Sequence, residues 1–400
     1  MPNTYKVLDK RRSTKLILIQ NGKIYTMIGP VLENGCVLIN GGKIAEVAKH
    51  IDAPTGAEVI DAGGRSVYPG FVEAHCHVGM WESSIGFEGD DTNEMTAPVT
   101  AHLRAIDAIN PMDIAFREAR DAGVTSCATG PGSANVIGGT FVAMKTHGVC
   151  VDEMIIKDPI AMKCAFGENP KRVYHAQKKM PSTRMGTAAI IREALMKAKR
   201  YMEAIERASD DASKLPAFDM QSEALIPVLR KEIPLKAHAH RTDDIFTSIR
   251  IAKEFNVRIT LEHCTEGHLI ADYIKKENLP AVVGPSFGHR SKFELANKTF
   301  DTPGVLDRAG VLVAITTDSA VVPLSSLPLM AGMAVAAGMD EMAALRAITI
   351  NPAKILGFDD RVGSLEAGKD ADVVIFDGSP LEISGKAWKV LIDGNVVFER

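Results

Sequence analysis

Four apolar segments separated by helical stretches, all within residues 234–318, constrain the fold of this chain more than any other feature. The segments are PLKAHAH (234–240), RITLEHC (258–264), LPAVVGP (279–285) and VLVAITTD (311–318). Strands joined by helices of this length lie parallel, because a parallel neighbour is reached only through a long crossover. An open, doubly wound sheet would satisfy this pattern. Polar residues at the carboxyl ends of successive strands favour an α/β fold of the (β/α)8 barrel type, whose functional side chains lie at that edge.

Both ends of the chain are rich in short strands, unlike the middle. Three dipeptides between apolar runs predict hairpin turns, namely Asn21-Gly22, Gly41-Gly42 and Asp393-Gly394. Because chain termini often lie close together, we expect the two ends to form one small β-domain. The expected boundaries are residues 1–68 and 358–400 for this domain and 69–357 for the barrel. The regular pattern is interrupted in residues 84–186.

The composition excludes several classes of partner. The chain of 400 residues carries a formal net charge of −4 and has no basic run, so it has no general attraction for nucleic acid or anionic lipid. The apolar stretch Leu16–Ile19 is too short for a signal-peptide core or a membrane span, which predicts a cytoplasmic protein. The cysteines lack CxxC spacing and are expected to be reduced and mostly buried. We expect a small-molecule substrate, and a homo-oligomer is possible.

The segment YPGFVEAHCHVGM places two histidines on one face of a strand. His75 and His77 are two residues apart, and side chains at this spacing point the same way. At the carboxyl end of a first barrel strand that face is the mouth, where two neutral imidazoles can hold a divalent metal. Two unrelated polar residues at a strand end are the alternative. Cys76 and, on a later strand, Cys264 alternate away from these ligands and are not expected to bind metal.

Three further strand ends carry residue types that bind metals. His238 ends an apolar run and is the preferred ligand. His240 is expected to lie past the strand, where a ligand role is less favoured than a substrate contact or a hydrogen bond within the loop. His263 ends the next strand, with Glu262 expected to face the helices. Asp318 closes the last strand, where a carboxylate can bind metal and accept a proton from metal-activated water. Capping of the following turn is the alternative for Asp318 and is compatible with catalysis.

Taken together, these motifs resemble those of the amidohydrolase superfamily, the urease-related metal-dependent hydrolases. PGFVEAHCH is similar to its entry motif, with Glu73 where aspartate is common, and residues 351–377 resemble its closing signature. The similarity begins near residue 16 and looks closest to the branch containing imidazolonepropionase and related metal-dependent peptidases. The resemblance implies a distorted (β/α)8 TIM-like barrel, a small β-sandwich from both termini, and one or two divalent ions, usually zinc. Imidazole and carboxylate ligands would also suit iron or manganese.

The resemblance further implies a bridging ligand if two metals are bound. In such members a carbamylated lysine or a glutamate from a middle strand joins the ions. Glu168 is the preferred candidate because it follows a strand and a glycine; Lys163 and Lys157 are the others. The alternatives are a capping carboxylate for Glu168 and a solvated strand residue for Lys163. His263 would bind the second metal, or in its absence donate a hydrogen bond to the substrate.

The expected reaction is hydrolysis of a C–N bond in an amide, a peptide or a cyclic amide. Asp318 would act as general base and acid, and His263 or the metal would stabilise the oxyanion. Ring opening of the imidazolonepropionase type is the alternative. Deamination is disfavoured because Arg241 stands where deaminases of the superfamily usually carry a glutamate. A non-catalytic scaffold is the least expected function, since all the histidines are present.

Substrate contacts are expected from the loops that follow the strands. GPSFGHRSKFEL offers His289, Arg290 and Lys292. An arginine there could clamp a carboxylate with two hydrogen bonds, or Arg290 and Lys292 could begin a solvated helix. The glycine-rich residues 129–139 are expected to border the pocket, and the acidic residues 81–96 to form a lid or solvated surface.

Overall fold

The computed structural model describes residues 15–83 and 86–400 and consists of two sheets and the helices that pack on them. The strands are β1 (Leu16–Ile24), β2 (Leu32–Asn40), β3 (Lys43–Ala48), β4 (Glu58–Asp61), β5 (Ser66–Pro69), β6 (Phe71–Cys76), β7 (Val124–Thr129), β8 (Ile137–Lys145), β9 (Ile155–Ala165), β10 (Leu235–Ala239), β11 (Ile259–His263), β12 (Ala281–Val283), β13 (Val313–Ile315), β14 (Val373–Asp377), β15 (Lys386–Ile392) and β16 (Asn395–Glu399). The helices are α1 (Ile114–Asp121), α2 (Val151–Met154), α3 (Glu168–Ala176), α4 (Arg184–Ala208), α5 (Met220–Leu229), α6 (Thr242–Phe255), α7 (Ala271–Lys276), α8 (Thr302–Arg308), α9 (Leu327–Ala336), α10 (Glu341–Ala347) and α11 (Ile350–Leu356).

The larger sheet runs from β6 to β13 in sequence order and forms a nearly closed barrel, which confirms the predicted fold class. The strands from β9 to β13 are parallel, and helices connect them as predicted. Strand β8 is antiparallel to both β7 and β9. Antiparallel neighbours need no crossover helix, which explains why the strand–helix pattern is interrupted there.

Alternation along β10 shows how the barrel interior becomes polar. Leu235, Ala237 and Ala239 pack in the hydrophobic cluster between the sheet and its helices. Side chains alternate along a strand, so Lys236 and His238 point into the barrel. Helix α6 completes this packing with its apolar face and ends at Asn256, whose φ of 53° is left-handed.

The smaller sheet combines both ends of the chain. Its order is β16-β15-β14-β5-β1-β2-β3, with β4 added beside β1. The predicted hairpin turns at Gly41-Gly42 and Asp393-Gly394 are confirmed. The predicted turn at Asn21-Gly22 is wrong: both residues lie within β1, where the pairing register with β2 shifts. The glycine next to a left-handed Asn21 (φ 55°) forms a bulge in a continuous strand instead.

A buried ionic cluster links the barrel to the smaller sheet. The Lys145 Nζ at the end of β8 lies 2.7 Å from the Asp372 carboxylate and 3.2 Å from that of Asp370. Arg361 adds a 2.7 Å contact to Asp370. Burial is the largest influence on the pKa of Asp372 and raises it to about 6. In residues 15–83 and 86–400, no helix combines the length and apolar character needed to cross a bilayer.

Candidate active site

The predicted site residues converge at one mouth of the barrel, where the strands reach their carboxyl ends. His75 lies within β6, His238 within β10 and His263 at the last position of β11; His77, His240 and Asp318 follow the ends of β6, β10 and β13. Every one of these histidines is buried, and the Asp318 side chain is 16% exposed. The structure therefore brings six predicted residues from four strand ends into a single cluster.

The first group in this cluster is formed by His75, His77 and Asp318. The Oδ1 atom of Asp318 lies 3.2 Å from Nε2 of His77 and 3.7 Å from Nε2 of His75. Asp318 has a φ of 51°, so the chain turns sharply just beyond β13. The carboxylate thus faces His75 in β6 and His77 just after it, although β6 and β13 are the two ends of the sheet order.

The second group is formed by His238, His240 and His263. Their potential ligand atoms lie within 4.8 Å of one another, and the same limit holds for a set of His75, His263 and Asp318. His263 therefore belongs to both groups. Its ring centroid is 4.4 Å from that of His238 and 5.0 Å from that of His75.

Hydrogen bonds orient the imidazoles so that Nε2 is left for another partner. Nδ1 of His77 lies 2.7 Å from the Gly130 carbonyl, and Nδ1 of His263 lies 2.8 Å from the Gly284 carbonyl. A carbonyl only accepts, so each Nδ1 carries the proton and each Nε2 offers a lone pair when the ring is neutral. His240 is similarly tied through Nδ1, 2.7 Å from the Thr265 hydroxyl. This arrangement is typical of metal-binding histidines.

His75 is oriented by the buried carboxylate of Glu262, whose predicted orientation differs from the observed one. Oε2 of Glu262 accepts from Nδ1 of His75 and from Nζ of Lys236, both at 2.8 Å, and all three side chains are fully buried. The expectation that Glu262 faces the helices is wrong. The Glu262 side chain points into the barrel, as the alternation along the strand requires. His263 has a φ of 68° and departs from this alternation, so its side chain also reaches the mouth.

Glu73 joins the first and last barrel strands. One of its oxygens accepts the backbone N–H of His75 at 2.9 Å, and the other accepts the N–H and hydroxyl of Thr317 at 2.9 and 2.7 Å. The hydroxyl of Thr316 donates to the His75 carbonyl at 2.7 Å. Burial raises the pKa of Glu73 to about 7. Glu73 therefore fixes the backbones that carry His75 and Asp318.

Of the two main bridging candidates, Lys163 lies within the cluster and Glu168 outside it. The Lys163 side chain is fully buried, and its Nζ is 2.9 Å from Nε2 of His75. Burial lowers the pKa of Lys163 to about 8. Glu168 instead begins α3 after Gly167 (φ 77°) and belongs to neither histidine group within the described chain. The preference for Glu168 thus finds no support in its position, because the chain has turned into a helix before reaching it.

An unpartnered carboxylate oxygen and the neutral imidazoles suit a divalent ion. Oδ1 of Asp318 is buried without a hydrogen-bond partner among the described residues, and such an atom is costly unless a ligand satisfies it. Burial lowers the pKa of His238 to about 4 and holds the pKa values of His75, His240 and His263 well below the ordinary histidine value. Neutral imidazole is the form that binds metal.

The remaining predicted substrate contacts lie at the rim. His289 and Arg290 are exposed, and the Arg290 guanidinium donates to the Lys298 carbonyl at 2.9 Å. Lys292 is closer to the histidines: its Nζ bonds to Oδ1 of Asn169 at 3.0 Å. Asn169 Nδ2 is 3.5 Å from Nε2 of His238. The carboxylate clamp at Arg290 stays a prediction, and residues 84 and 85 of the predicted acidic lid lie outside the described residues.

Sequence reasoning missed one buried carboxylate of the mouth, Glu294. Its Oε1 lies 3.6 Å from Nε2 of His240 and 3.7 Å from Nε2 of His238. Glu294 is 1% exposed although it belongs to a loop after β12. The only signal in the sequence was its place in a loop that follows a barrel strand.

Comparison with known proteins identifies the family of the chain. Residues 66–397 match the model of the Amidohydrolase family. The chain is 30% identical over 394 residues to the amidohydrolase tasK of Hapsidospora irregularis, covering 91% of this chain but only 40% of that protein. It is 27% identical over 364 residues to an imidazolonepropionase of Thermoplasma acidophilum, covering 86% and 83% of the two chains.

A solved structure of an amidohydrolase from Thermotoga maritima MSB8 is similar throughout. The TM-score is 0.93 and the sequence identity 43%, with 96% of this chain and 100% of that one covered. The chain therefore belongs to the amidohydrolase family and is a hydrolase acting on C–N bonds.

Proposed function

We propose that the chain is a metal-dependent enzyme that hydrolyses an amide or peptide bond in a small substrate, such as an N-acyl amino acid or a dipeptide. The observation that carries the proposal is the convergence of His75, His77, His263 and Asp318 at the barrel mouth, with Oδ1 of Asp318 facing Nε2 of both His75 and His77. The hydrogen bonds at Nδ1 hold these rings in place before any ligand arrives. Preorganisation of this kind is what a catalytic metal site requires.

The ligand atoms fall into two adjoining positions. His75, His77 and Asp318 would hold one ion, while His238 and His263 would contribute to a second. Lys163 is the better-placed bridge between them, because its Nζ lies against His75 inside the barrel. The carbamate implied by the superfamily forms when a neutral lysine amine adds to carbon dioxide and releases one proton. Zinc is the ion we expect, and iron or manganese would suit the same ligands.

When bound, a divalent ion would polarise the scissile carbonyl and acidify a water molecule. Asp318 would take the proton of the attacking water and return it to the leaving nitrogen, so that the acid and the amine are released with no net proton consumed by the enzyme. His263 would act as a ligand rather than as an oxyanion donor, because its proton is engaged at Nδ1 by the Gly284 carbonyl. This hydrogen bond supports the ligand role over the hydrogen-bond-donor role for His263.

The position of Arg241 argues against deamination. Its guanidinium forms two 3.0 Å hydrogen bonds with Asp243 and lies over the exposed Phe293 ring, 5.4 Å from the centroid. It therefore offers no proton shuttle at the place where deaminases of the superfamily carry a glutamate. Hydrolytic opening of a cyclic amide is the second candidate, favoured by the similarity to imidazolonepropionase over 86% of the chain.

A substrate screen tests the proposal. Zinc-reconstituted protein would be incubated with N-acyl amino acids, dipeptides, and cyclic ureides or lactams, with the Asp318→Asn variant as matched inactive control. We expect new carboxyl groups from at least one linear amide and none from the variant. Opening of cyclic amides alone would favour the second candidate. Ammonia release from nucleobases would contradict both, and a protein that binds no zinc or manganese and remains inactive would favour a scaffold.

A further inference from the structure

Glu294 is a buried carboxylate that the proposed reaction does not use. It lies in the single turn Phe293–Leu295, in the loop that leads from β12 to α8. Its neighbour Phe293 is 75% exposed, whereas Glu294 is 1% exposed. Burying a carboxylate in an otherwise exposed loop is costly unless specific partners compensate for the lost hydration.

Glu294 has one partner at the start of α3 and another within its own loop. Oε2 accepts the backbone N–H of Glu168 at 2.9 Å, which anchors the loop at the start of α3. Glycine at position 167 permits this approach, because the Cβ of any other residue would lie only 2.7 Å from Oε2 of Glu294, which is too close. Oε1 is 3.3 Å from Nζ of Lys292, whose other bond to Asn169 can persist if Oε1 takes a different partner.

The remaining contacts of Oε1 have the spacing of ligands that share an ion. The distances to Nε2 of His240 and His238 are 3.6 and 3.7 Å, beyond the hydrogen-bond limit of about 3.5 Å. Two atoms that bind one tetrahedral zinc at about 2.0–2.1 Å lie about 3.3–3.4 Å apart. The observed distances are close to this value, and Asp318 and His77 show the same pattern at 3.2 Å.

We infer that Glu294 and His240 are ligands of the second metal position, together with His238 and His263. The position would then have three imidazoles and the Glu294 carboxylate, with the Lys163 carbamate as a further ligand if it bridges the two positions; imidazole and carboxylate ligands suit zinc. One of its ligands comes from the loop after β12, so metal binding would hold this loop across the barrel mouth. The inference rests on the proposed function only in that both place a divalent ion among these histidines.

Metal stoichiometry and the spectrum of the cobalt-substituted full-length chain test this inference without a substrate. The variant Glu294→Gln should lose the second equivalent of zinc measured by atomic emission, and its Co²⁺ absorption should lose the bands of the second site. Glu266→Gln is the matched control. Glu266 also accepts a backbone N–H at a helix start, from Thr242 at 2.7 Å, but its other oxygen bonds to Asn297. It should retain both equivalents.

A second variant separates ligation from folding. His240→Asn leaves the contact between Glu294 and Glu168 intact and should lose the same equivalent of zinc. Unchanged stoichiometry and spectrum in both variants would overturn the inference. Weaker binding with an unchanged Co²⁺ spectrum would also overturn it, because Glu294 would then act only through the histidines. A parent protein that binds a single equivalent would overturn the inference but leave the proposed function standing, whereas a parent that binds none would contradict the proposed function.

Discussion

Replacing Glu262 by glutamine should affect the stability of the barrel and its metal affinity in separable ways. The Glu262 carboxylate is fully buried and accepts from both His75 and Lys236 at 2.8 Å. Glutamine preserves the shape but removes the charge, which leaves the Lys236 ammonium without a counter-charge in the interior. Breaking a buried pair in this way costs about 3–5 kcal/mol. Loss of the carboxylate behind His75, a proposed zinc ligand, should weaken zinc binding by about 10–100-fold.

The double variant Lys236→Met/Glu262→Gln tells the two effects apart. Removing the uncompensated ammonium should restore most of the lost free energy of unfolding, although the Ala74 carbonyl also loses its 2.9 Å bond from Lys236. Zinc affinity should stay low, because His75 still lacks the carboxylate. Urea unfolding of the chelator-treated protein, followed by circular dichroism, gives the stability, and competition with a chromophoric chelator gives the affinity. The reasoning is refuted if Glu262→Gln costs less than about 1 kcal/mol, or if the double variant is as unstable as the single one.

Three further predictions concern catalysis, pH and the link between the two sheets. Asp318→Asn should lower kcat by about 100-fold or more when assayed at saturating zinc, which offsets the loss of one proposed ligand, and a variant that keeps its activity would rule out the proton-transfer role. As the pH falls from 6.5 toward 4, the free energy of unfolding of the metal-free protein should decrease by about 3 kcal/mol because of His238, since the unfolded state binds the proton first. In urea titrations the His238→Asn variant should lose correspondingly less stability over the same pH range. Parallel pH profiles of the two proteins would contradict the assignment to His238. Lys145→Met should cost about 3–5 kcal/mol in free energy of unfolding because the Asp372 carboxylate loses its buried cation, whereas the control Lys157→Met, at an exposed lysine, should cost less than about 1 kcal/mol.

The fold was accessible from sequence where the relevant pattern is local. Strands β10, β11 and β13 carry polar residues at or just after their carboxyl ends, and the helices between β10 and β13 require parallel neighbours. Strand β8 breaks that rule by pairing antiparallel on both sides, so no crossover helix marks it. At Asn21-Gly22 a turn dipeptide occurs inside a strand, since a bulge uses the same left-handed backbone as a hairpin turn.

The site was accessible where a residue type coincides with a strand end. His75, His238 and Asp318 are readable in this way. The orientation of Glu262 could not be predicted in this way. The prediction assumed that side chains alternate from Glu262 to His263, but the positive φ of His263 breaks this alternation. Glu294 reaches the histidines through a loop from another strand, and no local periodicity encodes such a tertiary contact.

Anomalous diffraction at the zinc absorption edge, measured on crystals of the zinc-loaded and active protein, tests the central claim most directly. We predict a peak within about 2.0–2.2 Å of Nε2 of His75, Nε2 of His77 and a carboxylate oxygen of Asp318. An active protein whose zinc lies elsewhere, with these three side chains bound only to each other or to water, would contradict the claim that this mouth of the barrel is the catalytic metal centre.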